Sequence, residues 1–180
     1  MSRLPRAFLL VTLFVAMPSA IFAQDAEDER REPIGGHWGI SVWGLSYHVN
    51  RAIDYNESNL GLGLRYSARP RWRWLGHDED NRVFVEADAL RNSNKGLVLP
   101  ISAGAEYQVG HLGGGCKLFA VGALTLAYYQ NSRKKATELK FGPVPGFAIG
   151  CGHVKTNVLA VLSASKQTLA AIVASMTIAF

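Results

Sequence analysis

The chain has 180 residues, with 19 Lys and Arg against 14 Asp and Glu, a net charge of +5, and 48% hydrophobic residues. That length suits one domain. The positive balance is modest, and no basic stripe with interleaved aromatics is present, which argues against nucleic acid as a partner. Its two cysteines lack Cys-x-x-Cys spacing, which excludes a zinc or redox motif of that kind.

Arg3 and Arg6 precede an apolar run over 7–17, followed by "PSAIFAQ". This pattern predicts a secretory signal peptide over 1–23, cleaved after Ala23. The run is too short for a spanning helix, which needs about 20 apolar residues. Residues 24–36 contain "DAEDERR". They have no apolar face and are expected to be a disordered lead-in.

From residue 37 the pattern is strand-like. Strands are predicted over 37–48, 59–68, 82–91, 97–109, 116–129, 138–150, 154–163 and 168–180. The last is the clearest. Ala170, Ile172, Ala174, Met176, Ile178 and Phe180 share one face, and Ala171, Val173, Ser175, Thr177 and Ala179 the other. A greasy face opposite a small, partly polar one, with period two, is the pattern of a transmembrane barrel strand. The terminal Phe180 matches the ending of bacterial outer-membrane barrels. Eight such strands over 37–180 predict an all-β, eight-stranded antiparallel transmembrane β-barrel of the bacterial outer membrane. The barrel must be closed, because lipid offers no partner to an open sheet edge. A soluble sandwich is the alternative for these strands.

An even strand count puts both ends of the barrel on the periplasmic side. Trp72 and Trp74 then fall at the periplasmic boundary and Tyr128 and Tyr129 near the outer one, where aromatic rings are favoured. Cys116 and Cys151 fall at one height on neighbouring strands. The compartment is oxidising, so they can form a disulfide; two unpaired cysteines are the alternative. Arg65, Glu86, Asp88 and Glu106 can form a polar network low in the lumen. His37, His77, His111 and His153 fall near the periplasmic rim, and His48 at the outer mouth. Simple alternation puts Val42, Gly44, Ser46 and His48 on one face, and Trp43, Leu45 and Tyr47 on the other. The small set suits the lumen, so His48 is expected to point inward above Gly44 and Ser46. Ser93 lies one short loop away. An imidazole and a hydroxyl at one mouth can serve acyl transfer, or both can be ordinary loop-edge residues.

Several short features occur in a shared order. They are Tyr47-His48 closing strand one, Tyr55-Asn56, "GLGL" over 61–64, Arg91-Asn92-Ser93-Asn94-Lys95, Pro100-Ile101, and the pair Pro143 and Pro145. In that order, over 37–180, the chain resembles the outer-membrane lipid A palmitoyltransferases (PagP). The resemblance implies a barrel whose apolar upper lumen holds one acyl chain. It implies transfer of palmitate from a phospholipid donor to lipid A in the outer leaflet, without metal or cofactor, by a monomer. The family's catalytic His, Asp and Ser map to His48, Asn92 and Ser93. Asn92 departs from the family, because an amide does not stabilise an imidazolium as a carboxylate does. Either the acid is dispensable, or Asp54 or Glu57 serves, or activity is lost. Pro143 and Pro145 map to a lateral opening for lipid. Gly104, or Ala103 beside it, maps to the position that sets acyl-pocket depth. The family's amphipathic lead-in helix has no counterpart here. Arg51, Arg91, Lys95, Arg133, Lys134 and Lys135 map to the outer face, as contacts to lipid A phosphates or as solvated loop residues. A non-catalytic structural or adhesion barrel is the second reading. A lipid A deacylase is the third, although the His-x-Ser of that family is missing after His153.

Overall fold

The computed structural model describes residues 36–49, 57–70, 80–92, 95–131, 136–162 and 169–180. The expected signal peptide, the lead-in up to residue 35, Trp72, Trp74, His77 and Ser93 lie outside them.

Eight strands follow in chain order: β1 (His37–His48), β2 (Ser58–Ala68), β3 (Arg82–Arg91), β4 (Leu97–Leu112), β5 (Cys116–Asn131), β6 (Ala136–Cys151), β7 (Val154–Leu162) and β8 (Leu169–Ala179). Each pairs antiparallel with the next, and β1 pairs with β8, closing the barrel. The two termini of the barrel therefore share one rim, the periplasmic one in the sequence reading. β1 and β3 match their predicted bounds, whereas β4, β5 and β6 each run one to three residues further at their ends.

Alternation explains the closure. Along β2, Leu60, Leu62, Leu64 and Tyr66 face outward and are exposed, while Asn59, Arg65 and Ser67 are buried facing inward. The outer wall is the apolar one, with Leu139 at 73% and Phe141 at 63% exposure. Such a wall is stable only against hydrocarbon. Eight strands leave an interior that side chains can fill. On the β3, β5 and β6 side, Phe84, Phe119, Val121 and Ala148 form a buried cluster.

The lower lumen is ionic. The Arg65 guanidinium pairs with Glu106 at 2.6 Å and Glu86 at 3.4 Å, and lies over the Phe84 ring, 3.6 Å from its centroid. The Lys155 ammonium donates to the other Glu106 oxygen. Asn157 Nδ2 donates to Ser175 Oγ at 3.3 Å and Thr177 Oγ1 at 3.2 Å, and Ser41 shares a 3.3 Å hydrogen bond with Thr177. These groups form a floor. Charges buried this deeply must stay paired, because removing one partner strands the other at a cost of about 3–5 kcal/mol. Of the expected network, Arg65, Glu86 and Glu106 are thus joined, Lys155 is a further member, and Asp88 instead accepts from Trp43.

Candidate functional site

At the far end of the lumen, β1 departs from simple alternation. Its ladders with β2 and β8 both slip between Trp43 and Leu45. Against β8, Gly44 is the extra residue, since Trp43 pairs Ser175 and Leu45 pairs the adjacent Ala174. Glycine suits a bulge, which re-aims the side chains on either side. Below it, Trp43 turns inward and its Nε1–H donates to Asp88 Oδ1 at 2.8 Å. Above it, Ser46 is buried and Tyr47 is exposed. His48 follows Ser46 on the inward face, as expected.

Two expectations are therefore corrected. Trp43 belongs to the lumen, and Gly44 is a bulge residue that breaks the small-residue column rather than a member of it. A parity count cannot detect one inserted residue, though a glycine inside a strand is a signal for it. Ser46 keeps its expected place. Its Oγ accepts from Asn59 Nδ2 at 2.8 Å, and its backbone N–H donates to the Glu57 carbonyl at 2.8 Å.

Asn92 closes β3 in a tight turn. Its N–H donates to the Gly96 carbonyl at 2.8 Å, and its carbonyl accepts from Lys95 N–H at 2.9 Å. Lys95 adopts φ 63° there. The side chain is used at both ends: Oδ1 accepts from Gly96 N–H at 2.9 Å, and Nδ2 donates to the Gln130 carbonyl of β5 at 2.6 Å. A carboxylate could not make that last bond. The amide at 92 thus has a structural reason, since it ties the β3–β4 turn to β5. Asn92, expected beside His48 and Ser93 as a catalytic residue, thus has a role in the turn as well.

The acyl-pocket positions separate. Gly104 lies on the inward column of β4 with the buried Glu106. A Cβ there would come within 2.8 Å of Phe84 Cζ and 2.9 Å of Ala123 Cα. Ala103 points the other way and is exposed. With Val83, Val85, Ala105 and the backbone of Gly104 and Gly122 it lines an open groove of about 860 Å³. Its assignment to the lumen is corrected.

Pro143 and Pro145 face outward on β6, where the barrel is least sealed. β6 pairs with β5 from Cys151 to Ala136 without interruption. With β7 it pairs only from Cys151 to Gly146. Above that rung, β7 residues Ala160 to Leu162 pair with β8 alone among the described residues. Two prolines two residues apart place their hydrogen-free nitrogens on the same strand edge. The ladder to β5 runs straight through both, so the lost donors fall on the β7 side. At the C-terminal end of β6, Cys116 and Cys151 form a disulfide with Cα atoms 4.4 Å apart, as their direct cross-strand register allows.

An apolar outer wall, an ionic floor and a closed antiparallel ladder define a transmembrane β-barrel of outer-membrane type. No protein-family model and no curated protein matches the chain. Among solved structures, Neisserial surface protein A (NspA) is similar at 15% identity and a TM-score of 0.37, covering 81% of this chain and 96% of that one.

Proposed function

We propose that the chain is an outer-membrane acyltransferase. In this reading it admits an acyl chain from a phospholipid through the β6–β7 wall and transfers it to lipid A, with His48 as general base at the mouth. The observation that carries the reading is the interrupted seam. Among the described residues the β6–β7 ladder ends at Gly146, directly below Pro145, at the level where a bilayer lipid would enter. The inward, half-buried His48 stands at the same end of the lumen. An imidazole there can take the proton of an attacking lipid A hydroxyl. His48, Ser46 and the two prolines support the reading together. The polar floor supports it as a stop beneath an acyl chain.

A second reading is a small barrel without catalysis, in a structural or adhesive role. One observation favours it: the Asn92 amide accepts from Gly96 N–H and donates to the Gln130 carbonyl, bonds that serve the turn rather than chemistry.

Mass spectrometry of lipid A separates the two. The chain is expressed in an outer membrane of known lipid A composition. Acyl transfer adds one acyl chain to lipid A, and His48→Ala abolishes the addition by at least about 100-fold. Unchanged lipid A beside a folded, heat-modifiable barrel rejects the enzyme and leaves the structural reading.

A further inference from the structure

The mouth has no carboxylate at position 92, yet an imidazole acting as base works best when a carboxylate fixes its tautomer and stabilises its charged form. From the pairing at the mouth we infer that Glu57 is the positioning carboxylate of His48. This deepens the acyltransferase reading and rests on it.

Three observations place Glu57. First, Leu45 pairs with Ser58, and Ser46 N–H donates to the Glu57 carbonyl at 2.8 Å. Residue 57 therefore lies directly opposite residue 46, and directly opposed residues of an antiparallel pair share a face. Second, Glu57 continues the inward column of β2 that holds Asn59, Arg65 and Ser67, all buried. Asn59 Nδ2 donates to Ser46 Oγ at 2.8 Å and fixes that column against β1. Third, His48 is two residues beyond Ser46 on the same inward face. It is thus the diagonal cross-strand neighbour of Glu57, at a separation of roughly 7–8 Å between backbones that long side chains span.

The bulge at Gly44 is what creates this neighbourhood. Without the slip between Trp43 and Leu45, Ser46 and His48 would turn to the lipid, and Glu57 would face the lumen alone. A carboxylate on β2 thereby takes the place that the β3–β4 turn cannot fill. In the transfer step, the His48 imidazole takes the proton from the attacking hydroxyl as its oxygen bonds to the acyl carbonyl carbon. It then returns that proton to the departing glycerol oxygen as the donor ester bond breaks. Glu57 exchanges no proton and holds the ring.

Two measurements on the full-length mature barrel in detergent micelles test this. In the first, ¹⁵N-histidine spectra are recorded, with the His48 signal assigned by its loss in His48→Ala. Glu57→Gln should move the His48 ring nitrogens, Glu57→Asp should move them less, and Asn92→Asp should leave them in place. In the second, phospholipid-to-lipid A transfer is assayed. Glu57→Gln should lower kcat about 100-fold with KM within about 2-fold, Glu57→Asp should restore most of it, and Glu57→Gln should add nothing in a His48→Ala background. Unmoved His48 signals in folded Glu57→Gln overturn the pairing whatever the assay gives. Moved signals in a wild-type barrel that transfers no acyl chain sink the acyltransferase reading, and the positioning role with it, while the His48–Glu57 proximity itself stands.

Discussion

β6 has two edges, and they are built differently. Toward β5 it is paired along its whole length, from Cys116 opposite Cys151 to Asn131 opposite Ala136, and a disulfide closes the end at the rim that carries the barrel's termini. Toward β7 the ladder stops at Gly146 among the described residues. One strand is thus sealed on one side and open on the other, and the residues that decide it lie in a single stretch, Pro143-Val144-Pro145-Gly146. In lipid an unpaired backbone group costs several kcal/mol. Proline removes the donor and with it part of that cost, so an opening can exist without stranding N–H groups in hydrocarbon. The asymmetry shows that a barrel can keep a weak seam if the neighbouring seam carries the strand.

The largest effect should come from weakening the strong side. Cys116 and Cys151 are 35 residues apart. On the chain-entropy model, a loop of that size makes the crosslink worth about 3–4 kcal/mol. The double variant Cys116→Ser/Cys151→Ser should lose about that much in urea unfolding from lipid vesicles. A loss under about 1 kcal/mol would mean that β5–β6 pairing alone holds β6, and that the disulfide adds no support opposite the open seam.

Strengthening the weak side comes next. Pro143→Val with Pro145→Val returns two donors to the β7 edge. At about 0.5–1.5 kcal/mol each, closing two rungs stabilises the barrel by about 1–3 kcal/mol. If the seam is the path, lipid A modification slows by about 5- to 150-fold, since each 1.4 kcal/mol is a factor of ten. A barrel that gains stability and modifies lipid A at the wild-type rate would move lipid access away from this seam.

Much of this was legible in the sequence, and what was not has identifiable causes. Strand number, order and barrel closure follow from period-two alternation, which 60–67 and 170–180 display with little interruption. Register brings Cys116, which opens one strand, opposite Cys151, which closes its neighbour, and of the two outcomes this allows the structure has the disulfide. The prolines marked the open seam. The lumen of β1 was read wrongly below Ser46, because the bulge at Gly44 inverts the face of every residue before it. Ala103 was misplaced by one residue, which in a strand reverses its direction. Asn92 read as a missing acid, since its bonds to Gly96 and to the Gln130 carbonyl depend on a turn and on a strand far away in sequence. Glu57 was legible only as one of two spare carboxylates, and the pairing of Ser46 with it singles it out.

The smallest effect is the sharpest test of where the seam ends. Gly146 holds the last β6–β7 rung, opposite Leu159. A Cβ there would sit 2.7 Å from Leu159 Cδ2 and 2.9 Å from its Cα, and would also press on the Val158 carbonyl. Backbone cannot yield as a flexible side chain can, so Gly146→Ala should cost about 1–3 kcal/mol. Gly142 lies four residues higher on the same inward column. A Cβ there would meet no atom within 4 Å. Gly142→Ala should therefore be neutral or stabilise by up to about 1 kcal/mol, because alanine restricts the unfolded chain more than glycine. The contrast between the two alanines locates the boundary of the closed seam between residues 146 and 142. Equal costs would place both glycines in the same packed wall, and the opening would then have to start above Gly142.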